Sequence, residues 1–274
     1  MVKRINLKSL PKEGLFSFVE DIGLPRFRAG QLVRWIYQRY ASDIAGITEF
    51  SKELRSALAI QAYISDLKLA RRLKSSDGTE KFLFSLEDGE TIESVLIPDN
   101  ARLTLCISSQ VGCAMGCKFC LTGKLGLIRN LKAFEIVDQV IAVNRLILPR
   151  KITNIVLMGM GEPLANLDEV AAALWRITEY IGISKRRITL STAGLVPGIA
   201  LLADKAPEVN LAVSLNASSD KVRDEIMPVN KRHPLKSLID ACRKFPLGPQ
   251  RKITFEYVLI GGVNDSAADA VRLA

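Results

Sequence analysis

Three cysteines stand close together in the middle of the chain, in the segment VGCAMGCKFC. Cys113, Cys117 and Cys120 follow the spacing C-x3-C-x2-C and are three of the five cysteines among 274 residues. Thiolates on one tight loop can bind three irons of a cubane cluster and leave the fourth iron without a protein ligand. S-adenosylmethionine can chelate that iron, and an electron from the cluster then splits its sulfonium to give a 5′-deoxyadenosyl radical. The spacing therefore predicts radical chemistry at an open [4Fe-4S] cluster.

A structural zinc site, a disulfide and inert buried thiols are the alternative interpretations of this cysteine group. Structural zinc usually takes four ligands, often as two separated pairs, and the spare candidates Cys106, Cys242 and His233 form no such pair. Disulfides are disfavoured by the tight spacing and by the expected cytosolic setting. The single histidine also excludes every mechanism or metal site that needs two. Of these interpretations, we favour the open cluster.

Short β-like segments alternate with longer helical ones from residue 101 onward. The strand candidates are RLTLCISS, TNIVLMGM, RITLSTA, NLAVSLNA and KITFEYVLI, with helical segments between them. At least five βα units of this kind are typical of a parallel sheet with crossover helices. Loops at the carboxyl ends of such strands form the pocket, and the cysteine group follows the first strand. We therefore predict an α/β fold with its site at that edge.

Two further regions precede this α/β core. Residues 1–75 are predicted to be helical, because FRAGQLVRWIYQRY has apolar residues at helical spacing and TEFSKELRSALAI begins with an N-cap candidate, Thr48 or Ser51. The next segment alternates apolar and polar residues, with turn signals at Asp77-Gly78 and Asp88-Gly89, which predicts a small antiparallel sheet or hairpin. The predicted domains are 1–75, 76–100 and 101–274.

Charge is distributed unevenly along the chain. Residues 1–75 hold 14 Lys and Arg against 7 Asp and Glu, residues 76–100 hold 1 against 7, and residues 101–152 hold 8 against 2. Both basic blocks can attract a polyanion such as nucleic acid through counterion release, although solvated surface explains either block alone. In the first block, arginines interleave with aromatic residues. This pattern suits phosphate contact with base stacking, and it is also the spacing of an ordinary core.

Composition and hydropathy exclude several classes of protein. With 48% hydrophobic and 24% charged residues, the chain is neither collagen-like nor largely disordered. No apolar run approaches the roughly 18 residues that a membrane span needs. The basic residues at the start are not followed by the apolar stretch of a signal peptide. We therefore expect a cytoplasmic protein that does not interact with membranes.

Eight stretches of the chain match a known family. They are FRAGQLVRWIY, ESVLIP, TLCISSQVGCAMGCKFC, MGMGEPLANL, SKRRITLSTAG, LAVSLNA, RDEIMPVNK and TFEYVLIGGVND. Together they resemble the RlmN-type dual-specificity RNA methyltransferases of the radical S-adenosylmethionine (radical SAM) superfamily. The resemblance implies a partial (β/α)6 barrel with a small N-terminal helical domain and a short β-hairpin extension. It also implies an enzyme that methylates the C2 carbon of an adenine in 23S rRNA and in tRNA.

The resemblance implies a role for individual residues as well. Cys113, Cys117 and Cys120 would hold the [4Fe-4S] cluster. The residues that would contact S-adenosylmethionine are Gly161 and Glu162 in MGMGEPL, Ser191 in RITLSTA, and Ser214, Leu215 and Asn216 in LAVSLNA. Glu93 would be the proton acceptor, and Cys106 would help to resolve a covalent RNA–protein intermediate through a transient disulfide. Many relatives carry His where this chain has Asn216, which cannot titrate.

The reaction of this family uses two molecules of S-adenosylmethionine, because adenine C2 is electron-poor and cannot attack the methyl group directly. One molecule methylates a cysteine, and the other yields the radical that abstracts hydrogen from that methyl group. In the family this cysteine and a further cofactor-contacting Asn belong to a segment beyond the position of Ala274, and none of the five cysteines here fills that place. We therefore expect the chain to be truncated at its C-terminus.

Two other functions compete with adenine-C2 methylation. The related resistance methyltransferases share these motifs and attack adenine C8, and a non-catalytic RNA-binding module would hold zinc instead of a cluster. The stretch FRAGQLVRWIY and the density of the match favour C2. The resemblance further implies 23S rRNA, tRNA and an electron donor such as flavodoxin or ferredoxin as partners of a monomeric protein.

Overall fold

The computed structural model of the chain describes residues 4–249 and 251–274. Its strands are β1 (Ile5–Asn6), β2 (Ala62–Tyr63), β3 (Lys68–Lys74), β4 (Glu80–Ser85), β5 (Thr91–Asp99), β6 (Arg102–Cys106), β7 (Gln110–Gly112), β8 (Leu127–Asn130), β9 (Asn154–Leu157), β10 (Ile188–Thr192), β11 (Asn210–Ser214) and β12 (Thr254–Glu256). Its α-helices are α1 (Lys12–Asp21), α2 (Phe27–Val33), α3 (Lys52–Gln61), α4 (Leu121–Leu125), α5 (Ala133–Ile147), α6 (Leu167–Arg176), α7 (Val196–Lys205), α8 (Asp220–Ile226), α9 (Leu235–Lys244) and α10 (Ala267–Leu273). Short 3-10 or π-helical turns lie at Leu7–Ser9, Arg34–Gln38, Pro163–Asn166, Ile177–Ile181, Lys185–Arg187 and Pro228–Lys231.

One eight-stranded sheet organises the molecule, in the order β12-β11-β10-β9-β6-β5-β4-β3. Strands β6, β9, β10, β11 and β12 are parallel neighbours, and helices cross over between them, as parallel pairing requires. Their short apolar runs, such as NIVL in β9, are typical of strands buried on both faces. The layout is that of a partial barrel and contains the five expected βα units.

The antiparallel part of the sheet is larger than a hairpin. Strands β3, β4 and β5 pair in sequence through the turns at Asp77-Gly78 and Asp88-Gly89, where both glycines have positive φ. Strand β5 then pairs with β6, so the extension and the barrel share one sheet. Its first strand, Lys68–Lys74, lies before the predicted boundary at residue 75. The division into 1–75, 76–100 and 101–274 stays a prediction.

The N-terminal segment is helical, as its spacing predicts. Helix α3 begins after Ser51, whose Oγ accepts a hydrogen bond from the Leu54 backbone N–H at 3.2 Å, so Ser51 is the N-cap. The interleaved aromatics divide between two roles. Tyr37 and Tyr40 belong to the core, whereas Phe27 is 59% exposed. No helix in the described ranges combines the length and apolar character needed to cross a bilayer.

A buried ion pair attaches the N-terminal segment to the barrel helices. Lys8 Nζ lies 2.6 Å from the Asp138 carboxylate on α5 and also donates to the Ser65 carbonyl at 2.7 Å. Burial raises the pKa of Asp138, and the Lys8 ammonium opposes that rise. Breaking a buried pair leaves an uncompensated charge. These contacts therefore fix the N-terminal helices against the outside of the barrel.

Candidate cofactor site

A cavity of about 450 Å³ opens at the carboxyl ends of the parallel strands. The predicted site residues that line it are Cys113, Cys117, Cys120, Gly161, Glu162, Ser191, Ser214 and Asn216. They come from four segments that are far apart in sequence. Because the carboxyl ends of parallel strands meet at one edge of a sheet, the fold brings them together. The residues predicted for the site therefore lie together at the predicted edge of the sheet.

Backbone contacts hold the cysteine loop on both sides. The Cys113 N–H donates to the Gly126 carbonyl at 2.8 Å, and the Lys118 N–H donates to the Ile226 carbonyl at 2.9 Å. Gly112 has a φ of +76°, and a Cβ at this position would collide with the Gly126 carbonyl. Only glycine fits there. The loop is thus fixed between the β7–β8 pair and helix α8.

The electrostatics of the three thiols fit a shared metal cluster. Burial raises the pKa of the Cys113 thiol and raises that of Cys117 to about 11, and neighbouring thiols of the group add to both shifts. All three side chains line the same cavity. Burial thus favours the neutral thiol. A bound metal favours the thiolate instead, because a thiol that coordinates a metal is deprotonated. In the part of the chain that the structure describes, no three His, Cys, Asp or Glu side chains form a site for a single metal ion.

The turn after β9 places Gly161 and Glu162 beside the cysteines. Gly161 has a φ of +105°, and a Cβ there would lie 2.6 Å from the Cβ of Gln110. The buried Glu162 carboxylate accepts backbone N–H groups of Leu164 at 3.0 Å and Ala193 at 2.7 Å. Burial raises the pKa of this carboxyl. Glu162 therefore ties two loops together at the wall of the cavity.

Glu256, at the end of β12, lines the cavity and was missed by sequence reasoning. Its Oε2 accepts hydrogen bonds from Ser191 Oγ at 2.8 Å and Ser214 Oγ at 3.2 Å. Ser214 pairs with Glu256 across β11 and β12, so their side chains share one face of the sheet. One carboxylate thus orients both serines. Glu256 lies in the middle of the strand candidate KITFEYVLI, and only the observed end of β12 at Glu256 places it at the edge of the sheet.

Arg223 is a second residue that sequence reasoning missed, and its side chain is fully buried. Its guanidinium donates to the carbonyls of Leu215 at 2.9 Å, Ala193 at 2.7 Å and Ser214 at 3.2 Å. Burial lowers the pKa of Arg223, and the nearby Cys117 thiol opposes this shift. Arg223 therefore joins the ends of β10 and β11 and places a positive charge near the cysteine loop. An arginine on a short helix carries no sequence signal for such burial.

Three predicted site residues lie outside the cavity lining. Leu215 packs into the core, and its N–H donates to the Glu256 carbonyl at 2.9 Å. The half-exposed Glu93 carboxylate lies 2.9 Å from Lys81 Nζ. Cys106 is half-buried on β6, and the strand register places it and Glu93 on the sheet face that carries Ser191. Their roles stay predictions.

Comparison with known proteins shows which family this fold and site belong to. Residues 107–274 match the Radical SAM superfamily, and residues 5–64 match the ribosomal RNA large subunit methyltransferase N-terminal domain. The dual-specificity RNA methyltransferase RlmN of Pelobacter propionicus is 53% identical over 275 residues, which cover 100% of this chain and 78% of that protein. The RlmN of Geobacter sulfurreducens is 54% identical over 271 residues, which cover 98% and 74%. The chain belongs to the RlmN family.

A solved structure supports the RlmN assignment. The crystal structure of a radical SAM methyltransferase from Sphaerobacter thermophilus has a TM-score of 0.92 at 44% identity, and the match covers 98% of this chain and 80% of that chain. The similarity confirms the partial barrel and the enzyme class, and it decides against a non-catalytic zinc module. As a radical SAM enzyme of the RlmN family, the chain uses a [4Fe-4S] cluster and S-adenosylmethionine.

Backbone geometry explains how an RlmN-family chain can carry Asn at position 216. Asn216 has a φ of +56°, a left-handed conformation in which Asn and His are both enriched. Its Oδ1 accepts the Val258 N–H at 2.9 Å, and its carbonyl accepts Asn264 Nδ2 at 2.7 Å. The residue therefore shapes the loops after β11 and β12 without any titratable group.

Alkylation of Cys106 should be slow near neutral pH. Burial raises the pKa of this thiol to about 11, and all five cysteines are free within the described residues. At pH 8 only about one Cys106 in a thousand is then ionised, and only the thiolate reacts. We expect the iodoacetamide rate to rise about tenfold per pH unit between pH 7.5 and 9.5. Peptide mass spectrometry measures the alkylation rate of Cys106, with glutathione as the reference thiol. Alkylation of Cys106 at the glutathione rate at pH 8 would contradict the expected burial.

Proposed function

We propose that this chain supplies the cluster and cofactor chemistry of an enzyme that methylates the C2 carbon of an adenine in 23S rRNA and in tRNA, through a methylated cysteine other than the five it contains. The observation that carries the proposal is the cavity in which three cysteines at C-x3-C-x2-C spacing face a glycine–glutamate turn and two serines. The relatives that share this chain's sequence are named dual-specificity RNA methyltransferases. Transfer of a methyl group to an electron-poor carbon requires radical chemistry. Three cysteines beside a polar cofactor pocket are suited to that chemistry.

The predicted site residues divide into cluster ligands and cofactor contacts. Cys113, Cys117 and Cys120 would hold the cluster, which when bound supplies the electron that generates the radical from S-adenosylmethionine. The turn at Gly161 lets backbone carbonyls approach the cofactor ammonium closely, and Glu162 supplies a carboxylate beside it. The other cofactor contacts, at the ends of β10 and β11, are Ser191, Ser214, Leu215 and Asn216.

Glu93 and Cys106 would complete the reaction after the radical has added to the base. Release of the methylated adenine requires loss of the C2 proton, and a carboxylate held by Lys81 at 2.9 Å is a suitable acceptor. The Cys106 thiol would break the protein–RNA link through a transient disulfide. Both side chains share the sheet face of the cofactor serines, which is compatible with these roles.

The proposed partners are RNA and a one-electron donor protein. The basic blocks at residues 1–75 and 101–152 would attract the RNA backbone. The one-electron donor would be a flavodoxin or ferredoxin, and the protein would act as a monomer. Because rRNA and tRNA are its substrates in this proposal, the protein would work in the cytoplasm.

Expression of the full-length gene, including the methyl-carrying cysteine, in a host that lacks its own adenine-C2 methyltransferase tests this function. We expect 2-methyladenosine in the host 23S rRNA and tRNA by nucleoside mass spectrometry. A gene carrying Cys117→Ala should give none and serves as the control. Appearance of 8-methyladenosine would identify the C8 activity instead. Absence of both nucleosides, with iron-loaded protein present, would contradict the proposal.

Glu256→Gln should weaken S-adenosylmethionine binding by about fivefold, because it removes the charge that orients two serine hydroxyls. The amide retains one acceptor oxygen, so the loss should be partial. Calorimetric titration of the anaerobically reconstituted protein measures the affinity. Glu208→Gln, on the surface away from the cavity, is the matched control. Equal affinities of the Glu256→Gln variant and the parent would remove Glu256 from the cofactor site.

A further inference from the structure

An exposed apolar patch borders the cysteine loop. It consists of five large side chains within ten residues, namely Phe119, Leu121, Leu125, Leu127 and Ile128. Leu121 is 78% exposed, Leu125 71% and Ile128 60%, and none of the five belongs to the core. Exposed apolar patches of this kind mark interaction surfaces. The apolar patch is therefore a candidate docking surface.

The apolar patch lies directly over the cluster ligands. Helix α4 begins immediately after Cys120, and its Gly123 approaches Cys117 so closely that a Cβ would lie 3.1 Å from the Cys117 backbone N and O. Glycine at this position lets one side of α4 rest on the cysteine loop. The Gly126 carbonyl then accepts the Cys113 N–H. The patch is thus the outer surface of the segment that encloses the three thiols.

The surroundings of the apolar patch are positively charged. Lys118 and Lys124 are exposed and form no ion pair within the described ranges, whereas the neighbouring Arg129 is paired with Asp88 and Glu135. No Asp or Glu occurs between residues 101 and 134. Complementary charge steers association and selects partners. An acidic partner therefore fits this surface.

We propose that the apolar patch docks the acidic electron-carrier protein, bearing a flavin or an iron–sulfur centre, that reduces the cluster. The inference rests on the proposed function, because an electron is useful here only if Cys113, Cys117 and Cys120 hold a cluster. The carrier is oxidised by one electron and the cluster is reduced by one, with no other reactant. A small patch suffices, since redox complexes bury less than about 1,200 Å².

The composition of the apolar patch favours a protein over RNA as its occupant. Four of its five side chains are aliphatic and offer no face on which a base could stack. RNA contacts rely mainly on hydrogen bonds and charge at the phosphates. Large aliphatic groups surrounded by two lysines are instead suited to a transient protein interface.

Binding of an acidic flavodoxin to the 274-residue protein tests the surface. We expect the double variant Leu121→Gln/Leu125→Gln to weaken the affinity about tenfold. Lys124→Glu should slow association, most strongly at low salt. Ile60→Gln, which replaces a 71% exposed residue on α3, is the matched control and should bind like the parent. Calorimetry and stopped-flow measurements give affinity and rate for both the apo and the iron-loaded protein.

Dithionite, which reduces the cluster without a docked protein, distinguishes failure of the docking surface from failure of the proposed function. The rate of S-adenosylmethionine cleavage driven by dithionite should be equal in the parent and both patch variants. At flavodoxin concentrations below saturation, the rate driven by flavodoxin should be about tenfold lower in the variants than in the parent. Equal flavodoxin affinity of the parent and both variants would overturn the docking surface and leave the proposed function intact. Loss of RNA binding with unchanged flavodoxin binding would assign the patch to RNA and also overturn it. If the double variant loads no iron, the flavodoxin affinity of its apo-protein and the behaviour of the Lys124→Glu variant still test the docking surface.

Discussion

Cys117→Ala should yield a colourless protein without bound iron after anaerobic reconstitution. Cys117 lies between the other two ligands, and its loss leaves two thiolates where three irons need ligands. We expect reductive cleavage of S-adenosylmethionine to fall by at least about 100-fold, since even residues behind the ligands cost 10- to 100-fold when replaced. Iron and acid-labile sulfide analysis measures the cluster, and formation of 5′-deoxyadenosine measures the cleavage.

Cys242→Ala provides the matched control for this experiment. Cys242 is buried on α9 and does not line the cavity, so its replacement should leave the iron content at the parent value. Equal loss of iron from both variants would show that the cavity cysteines have no special role. Stoichiometric zinc without iron in the anaerobically prepared parent would also rule out the cluster.

Gly161→Ala should weaken cofactor binding and destabilise the fold. The added Cβ would lie 2.6 Å from the Cβ and 2.8 Å from the backbone N of Gln110, and the backbone φ of +105° disfavours any side chain. Steric overlap and backbone strain together should lower the free energy of unfolding by about 2–4 kcal/mol. Urea unfolding measures the stability, and calorimetry should show affinity for S-adenosylmethionine reduced at least about tenfold.

Gly182→Ala separates backbone strain from steric overlap. Gly182 has a φ of +87°, and a Cβ there would have no neighbour within 4 Å. Its replacement should cost about 1–2 kcal/mol from strain alone and leave cofactor affinity unchanged. If Gly161→Ala bound S-adenosylmethionine as the parent does, the turn after β9 would not belong to the cofactor site.

Local patterns predicted most of the cavity, whereas long-range packing determined the residues that were missed. The cysteine spacing and the βα alternation are short-range features, and they place Cys113 and Ser191 at the correct edge of the sheet. Glu256 acquires its role only because β12 pairs beside β11, which no local pattern specifies. Arg223 lies on a short helix that predicts exposure, yet three carbonyls surround its buried guanidinium. The pairing of Glu93 with Lys81 likewise depends on two strands meeting in register.

The carboxylate of Glu256 gives the site an order of assembly. The cysteine loop emerges from the ribosome more than a hundred residues before β12, so its thiols are available to iron first. Ser191 and Ser214 gain their common acceptor only when the three-residue β12 has docked beside β11. A slip of one residue in that pairing would turn Glu256 to the opposite face of the sheet and release both hydroxyls. During synthesis the metal ligands are therefore available before β12 completes the pocket for the nucleoside cofactor.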